Sequence, residues 1–157
     1  EDYEMGKYGE LFEPVVPDKL LKDKSNIKLG DTKLTLLSHP GHTKGSSSYL
    51  LNVKDGNKTY KVLIANLPSI VIDGKFSEVK TYPNIQKDYA YTINAMKNLD
   101  FDLWVASHAS QFSLHDKHKP ADAYNPAAFK DQTGYDAAIN DLQKQYQKKL
   151  VSDRGSR

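Results

Sequence analysis

The chain has 157 residues, 38% of them hydrophobic and 27% charged, with 22 basic side chains against 20 acidic ones. A net charge of +2 gives neither the basic footprint of a nucleic-acid binder nor a polybasic face for a membrane surface, and apolar runs of only a few residues cannot span a bilayer. Cysteine is absent, which removes disulfides, thiol nucleophiles and thiolate ligands together, so a metal bound here must use histidine and carboxylate.

Residues 1–26 are polar and interrupted by Pro14 and Pro17. They read as loop, with one helical turn near Pro17-Asp18-Lys19-Leu20. Ile27-Lys28-Leu29 and Lys33 to Leu37 read as short strands around the turn signal Gly30-Asp31. Pro40-Gly41 forces a corner. Ser46 to Val53 and Thr59 to Ala65 then flank Asp55-Gly56-Asn57, a hairpin signal. The Val62-Leu63-Ile64 run is apolar on both faces, which predicts a strand in a sheet covered on both sides. Ser69 to Ile72 reads as a further short strand.

The period then changes. Asn84 stands in a helix-capping position, and Ile85, Tyr89, Ile93 and Met96 recur at helical spacing up to about Asn98. Phe101 to Ser107 reads as a buried strand ending at His108. Gln111 to Lys119 reads as a turn or short helix stopped by Pro120, and Asn125-Pro126 opens another helical turn. Tyr135, Ile139, Leu142, Tyr146 and Leu150 form one apolar stripe on a final helix. Residues 1–151 form the folded unit, and 152–157 read as a frayed polar tail. The class is α+β, or one half of a layered α/β sandwich.

Two histidines invite chemistry. His42 follows the Pro-Gly corner at the end of one strand, and His108 follows the apolar strand Leu103 to Ser107 directly. Loops at strand ends are where a rigid scaffold presents functional side chains, and metal is the usual reason to gather histidines on one rim. Taken singly, each is as readily a turn-capping histidine. His39 lies across the corner and reads as a structural neighbour. His115 and His118 stand among Asp116, Lys117 and Lys119 and read as solvated surface. No HxH or HExxH pattern occurs, so the metal constellation is incomplete within this chain. A GxSxG elbow, a Walker loop and GxGxxG are also absent.

Pro40-Gly41-His42-Thr43-Lys44-Gly45-Ser46 resembles the PGHTxGS segment of the metallo-β-lactamase superfamily. Tyr3 to Gly9, Ile64 to Ile70, Tyr82 to Gln86 and Trp104 to Phe112 resemble the third subclass more closely, and within it the GOB-type enzymes. The resemblance runs to about Leu150 and covers the C-terminal half of such an enzyme. It implies half of a four-layer αββα sandwich, an α/β fold. The family's HxHxDH-type loop lies in the other half, where GOB-type enzymes carry Gln for its first His.

The resemblance further implies zinc, with His42 completing the first metal site and His108 joining ligands of the missing loop at the second. Ser69 matches a serine that helps hold the substrate carboxylate. Leu67 stands where GOB-type enzymes have Met, and Ser47 where they have Cys. The implied activity is hydrolysis of the β-lactam amide bond by a metal-bound hydroxide, in the periplasm, as antibiotic resistance. The implied partners are a β-lactam antibiotic and the N-terminal half, without which this chain is inactive, and neither nucleic acid nor membrane. A lactonase or thioesterase of the same fold, and a metal-free non-enzymatic domain, are the alternatives.

Overall fold

Gly56 takes φ +57, which lets it turn the chain in a two-residue loop so that Asp55 pairs with Lys58. Such turns build an antiparallel meander in the computed structural model, which describes residues 15–155. Its strands are β1 (Asn26–Leu29), β2 (Thr32–Ser38), β3 (Ser47–Asp55) and β4 (Lys58–Ala65). A fifth strand, β5 (Leu103–Ala106), pairs in parallel with β4, giving the order β1-β2-β3-β4-β5. A parallel neighbour needs a crossover, and helix α1 (Ile85–Met96) supplies it. The short helix α2 (Leu114–Lys117) and the long helix α3 (Gln132–Gly155) follow. The result is a mixed five-stranded sheet with flanking helices.

Strand periodicity sorts the side chains. Leu50, Leu63, Ala65 and Trp104 fall on one face, which packs against Tyr89, Ile93 and Met96 of α1 and Tyr135, Ile139 and Tyr146 of α3. The aromatic residues make this core. Trp104 meets Tyr135 edge-on with centroids 5.3 Å apart, and the Tyr135 hydroxyl donates to the Met96 carbonyl at 2.9 Å, tying α3 to the end of α1. The opposite sheet face carries Leu34, Leu36, Tyr49, Leu51, Val62 and Ile64, none of which joins that core cluster. On this face Leu36, Tyr60 and Leu103 are buried while Ile64 is 37% exposed, so the run Val62-Leu63-Ile64 is only partly covered there.

Other expectations change in detail. Ser69 to Ile72 is not a strand. Pro68 has no N–H to give a ladder, the Ser69 N–H turns back to the Leu67 carbonyl at 3.0 Å, and side chains occupy the Ser69 carbonyl. Residues 17–20 form no helical turn. Asn84 precedes α1 but itself has helical backbone angles and caps nothing with its side chain. The segment read as a frayed tail is helical from Ser152 to Gly155. It is held because Asp153 accepts the Phe76 N–H at 2.9 Å and lies 3.3 Å from the Lys149 ammonium. The resemblance quoted for Tyr3 to Gly9 lies outside the described residues.

Candidate active site

The ends of β2, β4 and β5 and the start of β3 lie at one edge of the sheet, since Ser38 pairs with Ser47 and Ala65 with Ala106. The corner 39–46 covers that edge. His39 is its buried anchor, with 2% exposure and its Nδ1 2.7 Å from Ser48 Oγ. Ser48 Oγ also accepts the Asn66 N–H at 2.9 Å, which leaves the hydroxyl proton free to point at a neutral imidazole. Burial pushes His39 down to about 4, only partly opposed by the Asp23 carboxylate.

Helix α1 fixes the rest of the corner. Thr92 donates to the Pro40 carbonyl at 2.6 Å. Gly41 has φ +138, and a Cβ there would sit 3.0 Å from Tyr89 Cδ1, so the corner packs on α1 only as glycine. Beyond it, the Thr43 N–H donates to Ser46 Oγ at 3.0 Å and closes the loop.

His42 emerges from this corner exposed. Its Nδ1 lies 2.8 Å from the Ser69 carbonyl oxygen. A carbonyl can only accept, so Nδ1 carries the proton, and in the neutral imidazole it is Nε2 that has the lone pair. Ser69 Oγ is 3.3 Å from the same nitrogen, and the Tyr89 hydroxyl donates to the same carbonyl at 2.9 Å. Burial pushes the Tyr89 phenol well above its usual range, so it stays protonated and able to donate.

His108 lies two residues past β5 at the same sheet edge, exposed, with its N–H donated to Gln111 Oε1 at 3.2 Å. The segment after β5 is clamped from behind. Trp104 Nε1 donates to the Asp131 carbonyl at 2.7 Å. The Lys117 ammonium sits 2.8 Å from Asp131 Oδ2 and 4.9 Å over the Trp104 ring. Lys117, with the Gly134 N–H, holds the Asp131 carboxyl below its ordinary value.

A cavity of about 620 Å³ opens beside the corner, lined by His42, Lys44, Ser46, Ser47, Asn66, Tyr82 and Ser107 among others. The structure therefore brings His42 and Ser69 together, whereas His108, past the end of β5, does not line the cavity, although its neighbour Ser107 does. His115 and His118 are exposed on and just after α2, as expected of solvated residues. Leu67 is buried in the core at 7% exposure, and Ser47 Oγ donates to the Gly45 carbonyl at 3.0 Å. Sequence reading missed Lys44 and Asn66 as cavity residues, and Tyr89 and Thr92 as supports of the corner. Thr92, three residues after Tyr89 on the same buried helix face, is a fully buried hydroxyl needing a partner, which was the available signal.

Among the described residues, no three His, Asp or Glu side chains converge closely enough to hold a metal ion. Catalytic zinc takes three protein ligands, so this donor set is not a zinc site by itself. The His42 Nδ1 bond to the Ser69 carbonyl is of the kind that ligating histidines make with their other ring nitrogen.

No family model matches the chain. Solved structures do. The metallo-β-lactamase GOB-18 from Elizabethkingia meningoseptica is 61% identical with a TM-score of 0.92, over 96% of this chain and 56% of that one. The class B3 di-zinc metallo-β-lactamase LRA-12 from an Alaskan soil metagenome is 63% identical with a TM-score of 0.85, over 88% and 53%. Over most of its length the chain is similar to GOB-type metallo-β-lactamases of class B3, as a fragment of that fold. It spans about half the length of the solved structures it matches. A curated relative, the acyl-coenzyme A thioesterase MBLAC2 of Gallus gallus, is 30% identical over 86 residues, 55% of this chain and 28% of that protein. The fold is that of the metallo-β-lactamase hydrolases the chain matches.

Proposed function

We propose that this chain supplies one side of the active site of a zinc-dependent β-lactamase that opens the lactam amide bond, the other side coming from an N-terminal half. The observation that carries the reading is the His42 imidazole, pinned through Nδ1 on the Ser69 carbonyl so that in the neutral ring the Nε2 lone pair is left for a metal at the cavity. His42 and His108 are the ligands contributed from this side. Zinc held there supplies a Lewis acid that lowers the pKa of bound water to about 7. Ser69 and the ammonium of Lys44 lie at the same corner, where they can meet the substrate carboxylate. The apolar sheet face of Leu34, Leu36, Tyr49, Leu51, Val62 and Ile64 supports an N-terminal half as the partner, since burying it completes the sandwich. By the same reading, the protein acts in the periplasm and confers antibiotic resistance.

The full-length protein should hydrolyse nitrocefin and lose that activity with a chelator. Elemental analysis should show zinc, and His108→Ala should reduce it. Zinc retained in full without His108 would remove that residue from the site, and a metal-free protein would leave both histidines as hydrogen-bonded structure. The thioesterase relative favours a second reading, an acyl thioester substrate. Turnover of a thioester with none of nitrocefin would select it.

A further inference from the structure

We propose that Tyr89 is a positioning residue whose hydroxyl fixes the Ser69 carbonyl and thereby locks His42 in the Nδ1–H form that can ligate through Nε2. The inference rests on the reading of His42 as a ligand and adds the group that holds it ready.

The geometry is a two-donor clamp on one acceptor. A carbonyl oxygen has two lone pairs, and here the Tyr89 hydroxyl takes one at 2.9 Å while His42 Nδ1 takes the other at 2.8 Å. The Ser69 carbonyl belongs to irregular chain between Ala65 and Phe76, with no strand ladder to set its direction. Tyr89 has what that carbonyl lacks. It sits in the middle of α1, is 1% exposed, and is wedged between Phe76 at 5.6 Å and Tyr146 at 6.5 Å. Its ring also backs Gly41, the residue before His42, so one side chain sets both the corner that carries the imidazole and the acceptor that orients it. Without the hydroxyl, the Ser69 peptide can rotate away, and an exposed imidazole is free to take the Nε2–H tautomer, which has no lone pair for metal on that nitrogen.

The test uses the full-length protein labelled with ¹⁵N in the histidine rings. In the metal-free wild type at pH 8, His42 should show a protonated Nδ1 and an unprotonated Nε2; the opposite tautomer there overturns the proposal without any variant. Tyr89→Phe, which removes one oxygen, should raise the Nε2–H form to a substantial population. It should also weaken zinc binding about 10-fold or more in competition with a chromophoric chelator, the scale of losses at outer-shell partners of metal ligands. Tyr146→Phe removes a neighbouring buried hydroxyl, bonded to the Gln86 carbonyl at 3.1 Å, and should leave both readouts at wild type. A wild-type tautomer or wild-type affinity in Tyr89→Phe overturns the proposal, as does an equal loss in Tyr146→Phe. His42→Ala separates the two levels: undiminished zinc affinity there rejects His42 as a ligand, whereas weakened zinc with an unchanged Tyr89→Phe rejects only the role of Tyr89.

Discussion

Lowering the pH below neutrality should unlatch the corner through His39. Its folded-state value is about 4 against an ordinary 6.5, with desolvation as the larger cause and the Asp23 carboxylate opposing it. Between those values the unfolded chain binds a proton that the folded one refuses, so stability falls as pH falls. At about 1.36 kcal/mol per unit, the full window amounts to about 3 kcal/mol, and about 2 kcal/mol of it is lost between pH 7 and pH 5. The perturbation is His39→Asn, which can keep a hydrogen bond to Ser48 and does not titrate. The assay is urea unfolding of the metal-free full-length protein at pH 7, 6 and 5, with ring ¹⁵N titration of His39 alongside. Wild type should lose about 2 kcal/mol more than His39→Asn over that range. Parallel losses in the two proteins, or a ring midpoint near 6.5, would refute the burial argument.

Substitutions at three further positions probe the scaffold behind the site. Gly41→Ala places a methyl against Tyr89 at a φ of +138 and should destabilise by about 3 kcal/mol, strain and overpacking together, read as a lower urea midpoint at unchanged slope. Asp131→Ala removes the cap on the Gly134 N–H and leaves the Lys117 ammonium without its carboxylate, for a loss of about 3 kcal/mol. Asp131→Asn keeps an acceptor for the cap and should lose about half as much in the same thermal or urea assay. Tyr135→Phe leaves the Met96 carbonyl without its buried donor and should lose about 1 kcal/mol, with α1 amides exchanging faster near Met96.

The hairpins, the two longer helices and the corner at Pro40-Gly41 were legible because each rests on local chemistry: two-residue turns, a period of 3.6, and a proline-glycine pair. The expected strand at Ser69 to Ile72 failed because its polar backbone groups are met by side chains from elsewhere. Tyr89 comes from 20 residues away and His42 from 27, and no local pattern records such partners. The expected frayed end at Ser152 failed for the same reason, since the Phe76 N–H that ties Asp153 lies 77 residues upstream.

By itself, the sequence determined the hairpins and the two longer helices, that His42 and His108 each follow a strand end, and that chemistry here would rest on histidine without thiols. The tertiary structure decided which histidine is buried and neutral, which is exposed with one nitrogen pinned, and that both strand ends lie along a single edge. The reason is physical. Propensity and periodicity act over a few residues, whereas the protonation state of an imidazole depends on desolvation and on acceptors such as the Ser69 carbonyl, which only the packed chain brings within hydrogen-bonding distance.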